Sequence, residues 1–159
     1  MAVVLYGGEL AAEIAERVVV AAKGAGLGAD AVNMSDFKKC KLGEEPQTVI
    51  FIVQSVENDE PPESAGSCIR FIKKKANAAD MFSKMKFSVL GLGDSNLLLD
   101  RQTTTAKDCN KVGQAIDKRI EELGGSRICD LGLADERTGL TEVEPYLETL
   151  IPALKEALA

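Results

Sequence analysis

Val49-Ile50-Phe51-Ile52-Val53 is an unbroken apolar run, and a run of that length reads as a strand buried on both faces rather than one. Such a strand needs helices above and below it, and the flanking sequence supplies them. Upstream, a first strand over residues 2–6 leads into a helix over 9–22, where Leu10, Ile14 and Val18 recur every four residues and Gly24, Gly26 and Gly28 mark the stop. A weaker strand over 29–34 precedes the central run. Downstream, Ser64 offers an N-cap to a helix carrying Ile69, Phe71 and Ile72 and ending in Lys73-Lys74-Lys75. A strand over 87–91 follows. The helix expected over 106–123 carries Val112, Ile116, Ile120 and Leu123 on one face and ends at Gly124-Gly125. A fifth strand is expected over 128–131, and a last helix over 141–158 turns Val143, Leu147, Leu150, Leu154 and Leu158 inward, with Pro152 expected to kink it. Strands alternating with helical crossovers of one hand give an α/β fold: a three-layer, doubly wound, five-stranded parallel sheet of order 2-1-3-4-5, with residues 1–159 as one domain.

Composition narrows the function. The 25 acidic and 19 basic residues leave a formal charge of −6, which is too little basic surface to release counterions from a nucleic acid backbone, so no nucleic acid partner is expected. The chain has no histidine, which removes imidazole-based triads and the commonest metal ligand. No other nucleophile and base pair stands out, so hydrolase or transferase chemistry has little support. Cys40, Cys68, Cys109 and Cys129 form no C-x-x-C pair and read as reduced, packed thiols of a cytoplasmic protein rather than a zinc or redox-dithiol site. Residues 1–8 lack the basic start of a signal peptide. No stretch approaches the roughly 20 apolar residues of a membrane helix, so no membrane association is expected.

In a doubly wound sheet ligands bind beyond the carboxyl ends of the strands, at the switch point. The loops to read are therefore 7–10, 54–63, 92–110 and 132–139. Four stretches in and around them carry a resemblance. Leu5-Tyr6-Gly7 with Glu13-Ile14-Ala15-Glu16, the turn Glu60-Pro61-Pro62-Glu63-Ser64-Ala65, and Val89-Leu90-Gly91-Leu92-Gly93-Asp94-Ser95 are three of them. The fourth is a tail containing Cys109-Asn110, Ile116-Asp117-Lys118-Arg119-Ile120-Glu121-Glu122-Leu123-Gly124, Gly139-Leu140, Val143-Glu144-Pro145-Tyr146 and Ile151-Pro152-Ala153-Leu154. With these the chain resembles the flavodoxin-like FMN domain of the diflavin reductases of cytochrome P450 reductase type, in their methionine synthase reductase branch. The FAD and nicotinamide modules of that family are absent, so the sequence is either a free-standing domain or a piece of a longer protein.

The resemblance implies an FMN-binding electron-transfer module, and it nominates residues loop by loop. In the family the first loop carries hydroxyls that converge with backbone amides on the phosphate. Here it reads Gly7-Gly8-Glu9-Leu10, shorter and without a hydroxyl, so that either amides alone cradle a phosphate or the glycines form a tight turn and Glu9 favours the helix dipole. The second loop resembles a Gly-containing ring cradle but here reads Ser55-Val56-Glu57-Asn58-Asp59, in which Ser55 is the remaining hydroxyl donor. The third begins at Leu92-Gly93-Asp94 and departs most. Leu97-Leu98-Leu99 and an insertion stand where the family places a stacking Tyr, and those leucines are open to three readings: an apolar wall for the ring, a partner contact, or a fold-back onto the core. In the fourth, Asp135 and, from the tail, Asn110 fall where the resemblance places the pyrimidine edge, although either could instead cap a following segment.

The expected cofactor is thus FMN in a degenerate site of Gly7, Gly8, Glu9, Ser55, Val56, Glu57, Leu92, Gly93, Asp94, Leu97, Asn110 and Asp135. The expected partner is a redox protein steered by an acidic rim of Glu57, Asp59, Glu60, Glu63, Asp94 and Asp100. The alternative is a flavin-free domain of the same fold that binds a protein. Whether Tyr6, Phe37 or Tyr146 turns toward the site is decided by tertiary structure.

Overall fold

The computed structural model describes residues 1–56, 60–97, 106 and 109–159, and for Leu97 the backbone alone. In chain order the elements are β1 (Ala2–Gly7), α1 (Glu9–Gly24), β2 (Ala29–Asn33), β3 (Gln47–Gln54), α2 (Gly66–Lys73), β4 (Met85–Gly93), α3 (Lys111–Glu122), β5 (Ser126–Arg127), β6 (Gly132–Asp135) and α4 (Val143–Leu158). The sheet runs β2-β1-β3-β4-β5, with β6 also on β4, and every one of these pairs is parallel. The switch point therefore lies between β1 and β3, as the pattern requires.

The central run behaves as its composition demands. Ile50 and Ile52 point into the layer shared with α1 and α4, while Val49, Phe51 and Val53 point into the layer shared with α2 and α3. All five are fully buried. β4 divides the same way, with Leu90 and Leu92 on one side and Phe87 and Val89 on the other. Gln54 continues the Ile50-Ile52 side and emerges at the end of β3, beneath the start of α1.

The single fifth strand expected over 128–131 is instead two short strands separated by those residues. Arg127 is in register with Phe87 and Gly132 with Leu90, so three steps along β4 face five along the edge chain and two residues loop out. At the slip the Ser88 hydroxyl bonds the Tyr146 hydroxyl at 2.6 Å and Cys129 Sγ at 3.1 Å. The slip matters for the site, because it brings Asp135 opposite Gly93.

Two helix starts also differ. Ser64 does not cap α2: it lies inside a single 3-10 turn, Glu63–Ala65, and α2 begins one residue later with Ala65 at its N-cap. Pro62, with its fixed φ, opens that turn and accepts from the Ala65 amide at 2.9 Å. α3 begins at Lys111 rather than at residue 106, because the fully buried Asn110 is held out of helical register by contacts to other loops. α4 continues through Pro152 to Leu158.

Candidate functional site

The carboxyl ends of β1, β3, β4 and β6 bring four loops together. At the first, a Cβ on Gly7 would lie 2.7 Å from Ala65 Cβ and 2.9 Å from Met34 Sδ, so Gly7 serves the approach of two neighbouring segments. Gly8 is the N-cap of α1 with φ 117° and ψ 157° and has no side chain with which to cap. The missing acceptor comes from another strand. Gln54 Oε1 accepts from the amide of Leu10 at 2.8 Å and from that of Ala11 at 3.0 Å. Two successive amides of a helix N-terminus therefore converge on one oxygen, which is how they would hold an oxygen of a phosphate. Glu9 points outward and is exposed.

In the second loop Ser55 turns inward. Its amide donates to the carbonyl of Leu92 at 2.9 Å, and its Oγ accepts from the amide of Val112 at 3.2 Å, capping α3. Val56 is exposed, and its amide donates to the carbonyl of Glu60 at 2.7 Å, closing an antiparallel bridge. Glu57 and Asp59 lie outside the described residues.

The third and fourth loops interlock. Leu92 is buried among the α1 and α4 side chains and offers the site only its backbone. A Cβ on Gly93 would come within 2.3 Å of the carbonyl oxygen of Cys109, so glycine is required where these segments touch. Asp94 accepts from the amide of Asn96 at 2.9 Å. Asp135 accepts from the amides of Ser95, at 2.9 Å, and Arg137, at 3.0 Å. Asn110 donates to the carbonyls of Ala106, at 2.8 Å, and Ala134, at 2.9 Å, and its Oδ1 is buried without a partner among the described residues. Asp135 and Asn110 are therefore both in the site and both ties between loops. For Asp135, which begins a 3-10 turn over Glu136–Thr138, the capping alternative describes its bonding. The backbone of Leu97 forms a short turn after Asp94, while Leu98, Leu99 and Asp100 lie outside the described residues.

Charge accumulates at this end. Burial pushes the Asp135 carboxyl up, but the hydrogen bonds from Ser95 and Arg137, together with the Arg137 charge, outweigh it and hold the pKa below the usual carboxylate value. Glu136 shifts the other way, raised by partial burial and by the neighbouring charges of Asp94 and Asp135. The aromatic residues outside the loops are committed elsewhere. Tyr146 is buried on Ser88, Phe37 packs against Phe71 with ring centroids 5.2 Å apart, and Tyr6 is half-buried on the α1 and α4 side.

The flavodoxin family profile matches residues 10–149, nearly all of the sheet and helices just described. The chain belongs to the flavodoxin family. Methionine synthase reductase of Bos taurus is 34% identical over 148 residues, covering 92% of this chain and 19% of the relative. The sulfite reductase [NADPH] flavoprotein alpha-component of Thiocapsa roseopersicina is 34% identical over 130 residues, 80% of this chain and 23% of the relative. The chain thus spans about a fifth of the length of the curated relatives it matches. The solved structure of a cysteine-to-alanine mutant of flavodoxin from Pseudomonas aeruginosa superposes with a TM-score of 0.72 at 22% identity, covering 97% of this chain and 98% of that one, which shows a shared fold. This flavodoxin domain is of the diflavin reductase kind, an FMN electron-transfer module by family.

The donor set fits the phosphate end of FMN. The amides of Leu10 and Ala11 already converge on an oxygen, and Gly8 presents no Cβ beside them. Gln54 was not among the residues nominated from sequence. Its signal was a polar residue closing an apolar strand on the face that meets α1, at the edge where the order 2-1-3-4-5 already sets β3 beside β1.

Proposed function

We propose that residues 1–159 form one flavodoxin-like domain that holds FMN at the carboxyl edge of its sheet and passes electrons to a redox partner docking on an acidic rim. The observation that carries this reading is the pair of α1 amides converging on one oxygen at the switch point of a flavodoxin-order sheet. FMN, when bound, supplies the one- and two-electron chemistry; the chain supplies position and charge. The amides of Leu10 and Ala11 beside Gly8 would bind the phosphate. The backbone of Val56, Leu92, Gly93 and Asp94 would wall the ring. Asn110 and Asp135 hold the third and fourth loops in place behind it.

The rim reading rests on charge placement. Glu60 and Glu63 are exposed, Asp94 lies beside Asp135 and Glu136, and Lys73, Lys74, Lys75, Lys84 and Lys86 are exposed near the opposite, amino edge of the sheet. The acidic side chains gathered at the carboxyl edge would draw a basic partner there. Among the described residues no helix is long and apolar enough to cross a membrane. Cys40, Cys68 and Cys129 are free thiols, which supports a reducing, cytoplasmic setting.

The test is a titration of the purified protein with FMN, followed by flavin fluorescence and visible absorbance, with riboflavin as the phosphate-free control. Saturation at micromolar FMN with much weaker riboflavin binding is expected. No binding up to millimolar FMN would overturn the reading in favour of a flavin-free interaction module.

A further inference from the structure

We propose that Gln54 is an internal occupant of the phosphate position and thereby sets the flavin affinity of this domain; the proposal rests on the FMN reading above. Three observations lead to it. The side chain leaves β3 on the face occupied by Ile50 and Ile52, which packs against α1, and Val53 is the last β3 residue in register with β1, opposite Gly7. A side chain at residue 54 is thus delivered to the N-terminus of α1. Its Oε1 then satisfies the amides of both Leu10 and Ala11, donors that Gly8 cannot cap. Finally, Gly8 leaves the room the amide uses: a Cβ there would sit 2.1 Å from Oε1 and 2.5 Å from Cδ of Gln54.

A phosphate oxygen and the Gln54 amide oxygen therefore compete for the same two donors. Binding of FMN requires the Gln54 side chain to swing out of the first loop, and apparent affinity falls by the fraction of molecules in which it has not. The neutral amide makes this a soft plug. A carboxylate at the same place would form charge-assisted bonds with the helix N-terminus and be harder to displace.

The experiment compares wild type, Gln54→Ala and Gln54→Glu by FMN titration, with amide NMR of Leu10 and Ala11 recorded in inorganic phosphate. Gln54→Ala should bind FMN about tenfold tighter, given the net worth of the competing hydrogen bonds. Riboflavin affinity should be unchanged, and phosphate should move the two amide resonances only in this variant. Gln54→Glu keeps the cap, so it stays folded if Gln54→Ala does not, and it should bind FMN more weakly than wild type. Equal FMN affinity in wild type and Gln54→Glu would overturn the plug and leave the FMN reading standing. Failure of all three proteins to bind FMN, with phosphate still shifting Leu10 and Ala11 in Gln54→Ala alone, would keep the plug and sink the FMN reading.

Discussion

Replacing Asp135 by Ala should cost the domain about 2–4 kcal/mol, whereas replacing it by Asn should cost about 1 kcal/mol, and the asymmetry follows from a single oxygen. Both amide bonds, from Ser95 at 2.9 Å and Arg137 at 3.0 Å, end on Oδ1. Asparagine retains that acceptor and loses only the charge. Alanine leaves a buried Ser95 amide with nothing to bond, and hydrogen bonds to a charged acceptor contribute about 1.5–3 kcal/mol each. The charge component depends on pH. Because the folded carboxyl titrates below its ordinary value, ionised Asp135 contributes stability above the unfolded pKa of ~3.9, and the contribution disappears as pH falls through the lower folded value. Urea denaturation at pH 7, 4 and 3 reads both effects. Wild type should exceed Asp135→Asn at pH 7 and converge on it at the acid end, while Asp135→Ala stays below both. Equal losses for Asn and Ala, or an Asn deficit undiminished at pH 3, would refute the assignment of Asp135 as a charged tie between loops.

Two further outcomes follow from buried groups. Tyr146→Phe and Ser88→Ala each break the buried 2.6 Å hydroxyl pair and should cost about 1–2 kcal/mol. The double variant should cost less than their sum, since the second change removes a group already left unpaired; full additivity in a denaturant-based double-mutant cycle would count against the pair. Burial and the neighbouring Cys40 push the Cys68 thiol to about 12, so Cys68 should resist iodoacetamide at pH 8 in the native state, while the half-buried Cys40 and Cys129 are modified slowly. Mass spectrometry of the alkylated protein checks this, and early labelling of Cys68 would contradict the packing.

The alternation of short apolar runs with helical periods was enough to place β1 to β4, the four long helices and the sheet order, because burial on two faces or on one leaves a direct imprint on residue type. The fifth strand was not legible in the same way. Ile128 and Leu131 are apolar because they pack into opposite layers; Ile128 still donates its amide to the carbonyl of Phe87 in β4 at 2.8 Å, and the ladder resumes only at Gly132. The start of α2 was displaced for a similar reason: Ser64 has a capping side chain, but the geometry imposed by Pro62 leaves it inside a 3-10 turn.

The loops divide along the same line. That the first loop lacks hydroxyls, that no aromatic stands in the third, and that glycines occupy residues 7, 8 and 93 follows from residue types alone, since these are statements about which atoms exist. Which donors already have acceptors is set by the packing of segments distant in the chain. Gln54 is 44 positions from Leu10, and Asp135 is 40 from Ser95, and no local pattern encodes such pairings. They arise because parallel strands deliver their carboxyl ends to one edge, where a helix N-terminus or a buried amide must find an acceptor among whatever side chains the neighbouring strand presents.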